Sequence, residues 1–432
     1  MTKYCKTLGT LLLAFVAITS VWGQNGSNSP LTRYGFGQLS DQNLGGNKAM
    51  GGIGIGLRNG LQINVSNPAS YTAVDSLTFL FETGFTLQNA NFSDGTYKLN
   101  AKNASFDYLA MQFRLFKQMG MTVGFLPYSN IGYSFSDSEE LPPLSDWDDP
   151  ITANQSYSGE GGLHQAFIGV GYKVLPNFSI GTNVSYLFGN FTHQVSTSFS
   201  DANIYGLSRT YYAEISDLKL DFGAQYTIRI NNRRRLTLGA TYSWGKDINA
   251  INSYISEKKL SGSTVLSDSI RRINKAFQLP HAFGAGFTYD HNEQLTIGGD
   301  VLLQKFGSTR YFGKEGQLSD RIKCSIGAEY LPKLIGGNLL QNCKYRVGAY
   351  YSKPYVKVDG QDAAHEFGIG AGMAIPISTR HGWLGQNSAI VNISGEWVRV
   401  EPKVDGVLTE NYLRLGIGLT FNERWFQKQK IR

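Results

Sequence analysis

Large apolar side chains fall on every second position of the chain from Leu77 onward. Positions 77, 79, 81, 85 and 87 carry Leu, Phe, Phe, Phe and Leu, while positions 78, 82, 84, 86 and 88 carry Thr, Glu, Gly, Thr and Gln. A period of two places these sets on opposite faces of one β-strand. The pattern therefore predicts a strand with one apolar face and one small, polar face.

The same alternation recurs along the chain, and the lengths of the connections between repeats alternate as well. Connections after strands 2, 4, 6 and 8 are short, whereas those after strands 1, 3, 5, 7 and 9 are long, notably 136–159 and 251–276. This alternation is typical of outer-membrane barrels and has no reason to occur in a soluble sandwich. It is weaker after strands 10 and 13. Fourteen strands are predicted, near residues 77–88, 103–116, 119–135, 160–174, 177–193, 209–230, 235–250, 277–290, 293–306, 318–331, 343–357, 363–377, 387–401 and 408–421.

The sequence thus predicts an all-β fold, a 14-stranded antiparallel transmembrane β-barrel over residues 77–421, with a periplasmic C-terminal tail at 422–432. Charges such as Lys219 and Asp221 share the polar faces. A basic residue facing lipid at mid-membrane costs roughly 2–4 kcal/mol, so these faces must look into the lumen. Gly370 and Gly372 lie on a lumen face too, which indicates either close approach by another backbone or tight curvature of the wall.

The first 23 residues have the order of a secretory signal peptide. Lys3 and Lys6 precede an apolar run from Leu8 to Ile18, which is too short to span a bilayer as a helix. We predict export and cleavage after residue 23. The two remaining thiols, Cys324 and Cys343, are predicted to be free, because the strand map does not place them opposite one another.

Composition excludes several function classes. The chain has 50 Gly, 24 Tyr and 25 Phe among 432 residues, with only 17% charged residues. Its one dense basic cluster, Arg233 to Arg235, is too small for a nucleic-acid face. The six histidines show neither metal-ligand spacing nor a companion nucleophile. We therefore predict no enzyme activity, no cofactor, no metal and no nucleic-acid partner.

Residues 24–76 precede the first strand and are rich in turn signals. The stretches MGGIGIGL at 50–57 and LQINV at 61–65 are too apolar for a solvated linker. We predict that 24–76 form a compact hatch, or plug, inside the lumen.

This part of the chain resembles the FadL family of outer-membrane transporters for long-chain fatty acids, toluene and other hydrophobic compounds. The likeness rests on GGNKAMGGIGIGLRNG at 45–60, NPAS at 67–70 and a first strand beginning at Leu77. The resemblance implies an outer-membrane barrel of fourteen strands plugged by an N-terminal hatch. Asn67, Pro68 and Ala69 match the family's hatch motif, while Ser70 replaces the usual glycine.

Pro127 stands well inside predicted strand 3. Proline cannot donate to a strand ladder and belongs at an edge or a bulge, so the wall should kink there. In the FadL family a kink in the third strand opens a lateral gap through which substrate leaves for the bilayer. The resemblance implies the same role for Pro127; a bulge that only bends the strand is the alternative.

Substrate contacts are predicted at two levels. Apolar residues of an external loop could capture a hydrophobic compound, although such a loop could equally pack on its own barrel. Lumen cations could neutralise a fatty carboxylate, although lumen acids are available to pair with them. The loop candidates are Leu141, Leu144 and Trp147, and the cation candidates are Arg114, Lys323, Arg346 and Arg414.

Two functions follow. The first is uptake of hydrophobic compounds by lateral release through strand 3, with membrane lipid and hydrophobic small molecules as partners. The second is a scaffold: a non-transporting FadL-like barrel of the Bacteroidetes-type outer membrane, bound to outer-membrane or periplasmic proteins of a secretion or assembly complex. A hatch locked without a continuous tunnel, or an exposed apolar patch beyond the lipid belt, would favour the scaffold.

Overall fold

The computed structural model describes residues 27–142, 150–260, 263–271, 273–334, 336–377, 388–404 and 406–424. The predicted signal peptide, Leu144, Trp147 and the tail beyond Arg424 lie outside these residues. Helices are few and short: an α-helix at Gly45–Lys48 and 3-10 helices at Pro30–Arg33, Pro68–Ala73, Phe306–Ser308 and Leu339–Asn342. Among the described residues, no helix has the length and apolar character needed to cross a membrane.

Fourteen strands form one closed antiparallel wall. Each strand pairs with the next in the chain, and β14 pairs with β1 from Thr78↔Arg424 to Ser93↔Thr409, which closes the barrel. The predicted fold class is confirmed. The strands are β1 Thr78–Ser93, β2 Lys98–Phe116, β3 Met119–Leu141, β4 Ile151–Leu175, β5 Phe178–Phe199, β6 Gly206–Asn231, β7 Arg234–Ser243, β8 Ala282–His291, β9 Leu295–Gln304, β10 Arg321–Tyr330, β11 Lys344–Lys353, β12 Ala364–Ile377, β13 Ser388–Pro402 and β14 Thr409–Arg424.

The outer face of the wall is apolar, as the alternation predicts. Ile168, Phe222, Ile326, Val347 and Leu415 are each more than 40% exposed. Their neighbours in sequence face inward. Exposed apolar side chains at this density suit a lipid environment and would be unfavourable in water.

Strands β3 to β6 are much longer than predicted. They contain 23, 25, 22 and 26 residues, whereas about 9–11 suffice to cross the bilayer. We call the end reached by the short connections the turn end, and the opposite end the loop end. The four strands rise past the lipid belt at the loop end, and their outer face becomes polar there, with exposed residues such as Ser134, Ser158, Asn190 and Glu214. The prediction missed these extensions because it followed apolar outer faces.

The connection after β7 is also more ordered than predicted. β7 ends at Ser243, not near 250, and β8 begins at Ala282, not near 277. In the predicted loop 251–276, strand Ala250–Leu260 pairs with β6 and with strand Ser263–Arg271. Two-residue strands at Asp247–Ile248 and Phe277–Gln278 pair with each other, as do Lys357–Val358 and Gln361–Asp362 in a later loop. The predicted loop between β1 and β2 is a four-residue turn, because both strands extend further.

Residues 27–76, here called the N-terminal segment, lie inside the barrel. Their backbone runs so close to the wall that a Cβ atom on Gly327 or Gly348 would overlap the backbone of Met50. A Cβ on Gly372 would lie 2.6 Å from that of Ala49. Close approach therefore explains the lumen glycine predicted at Gly372. At Gly368 and Gly416, by contrast, the nearest atoms belong to wall side chains.

An apolar cluster fills the loop end of the lumen, and we call it the mouth core. It joins the N-terminal segment, the tall strands β3 to β6 and three loops that fold inward, namely 244–281, 305–320 and 354–363. The residues at its centre, such as Phe36 and Phe277, are each 1% exposed or less. Its large members include Phe36, Tyr128, Tyr133, Leu163, Phe191, Ile215, Phe277, Phe306, Leu318 and Tyr355.

Both cysteines of the barrel are free, as predicted. Cys324 lies on β10, with its side chain exposed, and Cys343 is buried just before β11.

Candidate functional site

The Asn67-Pro68-Ala69 motif anchors the N-terminal segment to the wall. The Asn67 side chain caps the 3-10 helix Pro68–Ala73 by accepting from the Ala69 N–H at 3.1 Å. Its Nδ2 donates to the Ile55 carbonyl at 2.8 Å and to the Ala224 carbonyl of β6 at 3.1 Å. It also donates to the Ala240 carbonyl of β7 at 3.5 Å, so one buried amide joins two parts of the segment and two wall strands. Glycine in the wall makes room for it, since a Cβ on Gly223 would overlap Asn67.

Residues just after the motif add further bonds. The Ser70 hydroxyl donates to the carbonyls of Asn64 at 3.0 Å and Asn67 at 2.7 Å. The Tyr71 hydroxyl donates to Asn183 Oδ1 of β5 at 2.9 Å. Ser70, which departs from the family motif, therefore stabilises the local fold of the segment through hydrogen bonds to its backbone.

Two wall carboxylates hold the segment through its backbone. Asp300 of β9 accepts from the N–H groups of Gly54 at 2.6 Å and Ile55 at 2.8 Å. Glu82 of β1 accepts from the Ile63 N–H at 2.9 Å. Hydrogen bonds to carboxylates are among the stronger ones in proteins, so the segment is fixed on both sides of the lumen.

Three of the four predicted ligand cations are already neutralised. Lys323 donates to Asp41 of the N-terminal segment at 2.6 Å, and Arg346 donates to Glu329 at 2.7 Å. Arg414 pairs with Glu396 at 3.2 Å. Breaking such partly or fully buried pairs is costly, so these cations are poor receptors for a passing carboxylate.

The predicted ligand residues do not converge. Arg114 lies toward the turn end, where its Nη1 donates to Ser76 Oγ at 2.9 Å. Leu141 ends β3 at the opposite, loop end and pairs with Ile151. Its two loop companions, Leu144 and Trp147, lie outside the described residues. The described candidates therefore form no single binding site.

The wall is interrupted at Pro127, where a kink is predicted. The pairing of β3 with β4 shifts register between Pro127 and Ser129, which marks a bulge. In the described residues, β2 and β3 pair only from Phe116↔Met119 up to Leu109↔Phe125. Above that pair the strands separate, and the two-residue strand Gln38–Leu39 of the N-terminal segment pairs with Ser129 and Asn130 instead.

The lumen holds two small cavities beside this gap. One, of ≈ 190 Å³, reaches Phe106, Pro127 and Asn130. The other, of ≈ 170 Å³, reaches Asp41, Lys323 and Asp300. The first has further charged lining residues, namely Asp41, Lys48, Asp107, Arg321, Glu366, Glu396, Glu410 and Arg414. Apolar residues such as Leu31, Leu39 and Phe106 line it as well, so its walls are mixed in character.

Aromatic rings close the loop end above these cavities. The Phe277 ring lies 5.9 Å from that of Phe36, 5.5 Å from that of Tyr311 and 4.8 Å from that of Phe312. The first contact is tilted and the other two are edge-to-face, and ring contacts of this kind stabilise a packed core. The loops that supply these rings have no period-two pattern, so their inward folding could not be predicted.

Asp41 is the functional residue that sequence reasoning missed most clearly. It is a lone carboxylate in a neutral stretch, yet it pairs with Lys323 and lies 3.5 Å from Arg321. The predicted lumen position of Lys323 is the only signal for it in the sequence. Among the described residues, no group of three His, Cys, Asp or Glu side chains has the arrangement of a metal site.

Several solved structures share this architecture. The CymD monoaromatic hydrocarbon channel is 12% identical, with a TM-score of 0.57 over 91% of this chain and 99% of that one. The Ralstonia pickettii toluene transporter TbuX is 13% identical, with a TM-score of 0.58 over 89% and 99%. A Pseudomonas aeruginosa FadL homologue is 11% identical, with a TM-score of 0.55 over 90% and 100%. At these identities the likeness shows a shared FadL-type fold.

Comparison of the sequence with protein-family models points to a family other than FadL. A search among curated proteins found no match. The family model described as BamG, however, matches residues 1–432. The chain has the FadL-type barrel fold and belongs to the BamG family.

Proposed function

We propose that this protein is a non-transporting FadL-like barrel that serves as a structural subunit of an outer-membrane secretion or protein-assembly complex. The observation that carries this proposal is the mouth core. Apolar side chains from three loops and Phe36 fill the loop end, which a hydrophobic substrate would have to enter. Opening it would expose a core of the kind that stabilises a soluble domain.

The locked hatch supports the same role. We assign residues 24–76 as this hatch, 77–424 as the barrel, because β14 continues past the predicted end at 421 to Arg424, and the residues beyond as a periplasmic tail. Asn67 of the hatch bonds to the Ala224 carbonyl of β6, and Asp300 and Glu82 of the wall accept from hatch N–H groups. Lys323 of the wall is paired with Asp41 of the hatch. A hatch that moves during each transport cycle would have to break these buried bonds together.

The tall side of the barrel supplies a surface for partners. Strands β3 to β6 and the hairpin at Ala250–Leu260 and Ser263–Arg271 form one continuous sheet beyond the lipid belt. The mouth core covers the inner face of β3 to β6 and leaves their outer face exposed, while residues 263–269 of the hairpin are exposed on both faces. A transporter has no need for such a sheet, whereas a scaffold needs a rigid surface outside the lipid.

Uptake of hydrophobic compounds is the second candidate, and the gap between β2 and β3 favours it. The wall opens above Leu109 and Phe125, and the 190 Å³ cavity reaches that gap at Pro127. The solved structures of similar fold carry the names of hydrocarbon and toluene channels. Lateral release through this gap is the mechanism that uptake would use.

Native purification in a mild detergent separates the two roles. Mass spectrometry of the purified material should find partner proteins at a fixed stoichiometry that survives a second affinity step through one of those partners. Hydrophobic compounds should be present only at the level found with an unrelated barrel. A monomer carrying bound fatty acid or hydrocarbon would reverse the choice between the two functions.

A further inference from the structure

A third cavity lies at the turn end, on the other side of the N-terminal segment from the mouth core. It has a volume of ≈ 560 Å³, within the usual size range for ligand sites and far larger than a lone ion needs. Residues of three turn-end connections line its rim: Asn177 after β4, Glu293 after β8 and Leu334 in the longer connection after β10. We call this cavity the vestibule.

The vestibule carries an excess of positive charge. Six basic and four acidic side chains line it. Arg235 pairs with Asp290 and Glu293, and Lys344 pairs with Glu329, which leaves Asp75 as the remaining carboxylate. The basic residues outside these pairs are Arg58, Arg114, Lys173 and Arg229.

None of these four cations has an ion pair in the described part of the chain. Arg58 donates to Thr72 Oγ1 at 2.6 Å and to the Ala69 carbonyl at 3.3 Å, and Arg114 bonds only Ser76. The Arg114 Nε is buried without a partner among the described residues. Burial, and then the like charges of Arg114 and Arg235, lower the pKa of Arg58 to about 10. The four cations thus repel one another, and Asp75 is the single carboxylate of the described lining left to offset them.

These side chains face the lumen, so lipid headgroups cannot reach them. On β4, Tyr172 and Val174 are each 46% exposed on the outer face, which turns Lys173 inward. On β6, the exposed Ile228 and Ile230 flank Arg229 in the same way. An anion that neutralises this cluster must enter from the aqueous space at the turn end.

The adjacent turn extends the basic surface. Arg233 and Arg234 lie at the start of β7, next to Arg235 in the vestibule wall, and neither has an ion pair among the described residues. Of this dense basic cluster only Arg235 lines the cavity; Arg233 lies in the turn beside its rim, and Arg234 lies on the opposite face of β7. A ligand of several linked negative charges fits this layout better than a single small anion.

We propose that the vestibule binds an acidic segment of a periplasmic partner protein, with its carboxylates among Arg58, Arg114, Lys173 and Arg229. The inference deepens the proposed scaffold role, because it names the chemistry by which a partner would attach at the turn end. It also requires the turn end to face the periplasm, as short connections do in barrels of this class.

A peptide-binding experiment tests the vestibule directly. The full-length protein in a non-ionic detergent is titrated against a hexaglutamate peptide carrying a neutral dye, with hexalysine as the opposite-charge probe. We expect hexaglutamate to bind, with an affinity that falls as salt rises, and hexalysine not to bind. The triple variant R114Q/K173Q/R229Q should weaken binding about ten-fold or more.

A matched variant controls for net charge. K98Q/K102Q/R209Q removes three positive charges from exposed residues at the loop end and should leave hexaglutamate binding unchanged. Heat-modifiable gel migration shows that both variants retain the barrel. Arg58 is left unaltered, because its bonds to Ala69 and Thr72 hold the N-terminal segment.

Three results would overturn the inference: no hexaglutamate binding, an equal loss in both triple variants, or displacement of the peptide by sulfate at the same charge concentration. The last result would reveal a simple anion site. If hexaglutamate fails to bind while the native complex remains intact, only the vestibule inference fails. Charge-dependent binding without any native complex would instead remove the scaffold role.

Discussion

The two ends of the lumen differ in how they are filled. At the loop end, aromatic and aliphatic side chains meet around Phe36 and Phe277 with almost no exposed surface. At the turn end, a cavity of ≈ 560 Å³ is lined largely by charged and polar residues. Between them, the N-terminal segment is bonded to the wall. A channel for hydrophobic compounds would instead need an open, apolar entrance at the loop end.

The largest expected effect comes from displacing the N-terminal segment that separates the two ends. In Gly348→Val, the added atoms would overlap the backbone of Met50 and Gly51, which cannot move aside without leaving the lumen. We expect either loss of the folded barrel or an open pore with measurable conductance in planar bilayers, where the parent protein conducts little.

Gly395→Val is the matched control for that change. It places the same side chain on a wall strand where nothing lies within 4 Å of the new Cβ. Its folding and conductance should match those of the parent. Parent-like behaviour of Gly348→Val itself would show that the segment does not occupy the lumen as described.

The next effect is confined to the loop end. Phe277→Ala removes a fully buried ring from the mouth core and should cost about 3–5 kcal/mol. Limited proteolysis of the folded protein should then cut the loops 244–281 and 305–320 faster, while hexaglutamate binding at the turn end stays the same. Leu99→Ala, at a 67% exposed loop-end position, should change neither. Unchanged proteolysis of Phe277→Ala would mean that the mouth core does not hold the loops.

A smaller effect is expected within the segment itself. Ser70→Ala removes the hydroxyl that donates to the carbonyls of Asn64 and Asn67 and should cost about 1 kcal/mol. Thermal or chemical unfolding followed by gel migration measures this cost. A loss several times larger would give Ser70 a role beyond local bonding.

The smallest expected effect is a pH dependence of the stability of the loops at the loop end. Asp362 accepts from Ser319 and pairs with Lys353, both at 2.8 Å. Burial alone would raise the pKa of Asp362, but the bonds to Lys353 and Ser319 hold it below the usual range. A lowered folded-state pKa adds stability above the unfolded value, and this stability is lost as pH falls through the folded value.

Because this pair is partly exposed, its contribution should be under about 1 kcal/mol. Loop proteolysis by an acid-active protease should accelerate as the pH is lowered through the carboxyl range. In Asp362→Asn, proteolysis of the loops should be faster than in the parent at neutral pH, and its rate should change less when the pH is lowered. An equal acid response in parent and variant would assign the effect to other groups, such as Asp320.

The sequence predicts the barrel well where contact with lipid requires apolar residues at every second position. Leu77 to Gln88 alternate because one face meets hydrocarbon, and the same rule gives fourteen strands and the inward Lys219 and Asp221. Above the belt, positions such as Ser134 and Ser158 face water, so the period remains but its apolar signal lies on the inner face. The predicted strands therefore stop early.

The site is harder to predict because its partners are distant in sequence. Lys323 and Arg346 are correctly placed in the lumen, yet Asp41 lies about 280 positions from Lys323, and nothing local links them. Phe36 and Phe277 meet only because separate loops fold inward. Pro127 is different: proline chemistry alone predicts an interruption, and the structure has a bulge and a gap at that point.

The most direct test of the closed mouth is transport itself. Proteoliposomes containing the purified protein are mixed with a fluorescent fatty acid or toluene, and entry is followed in time against protein-free liposomes. We expect equal rates for the two preparations. Saturable, protein-dependent entry that is lost when disulfides tether the hatch to the wall would contradict the scaffold account and establish this barrel as a channel.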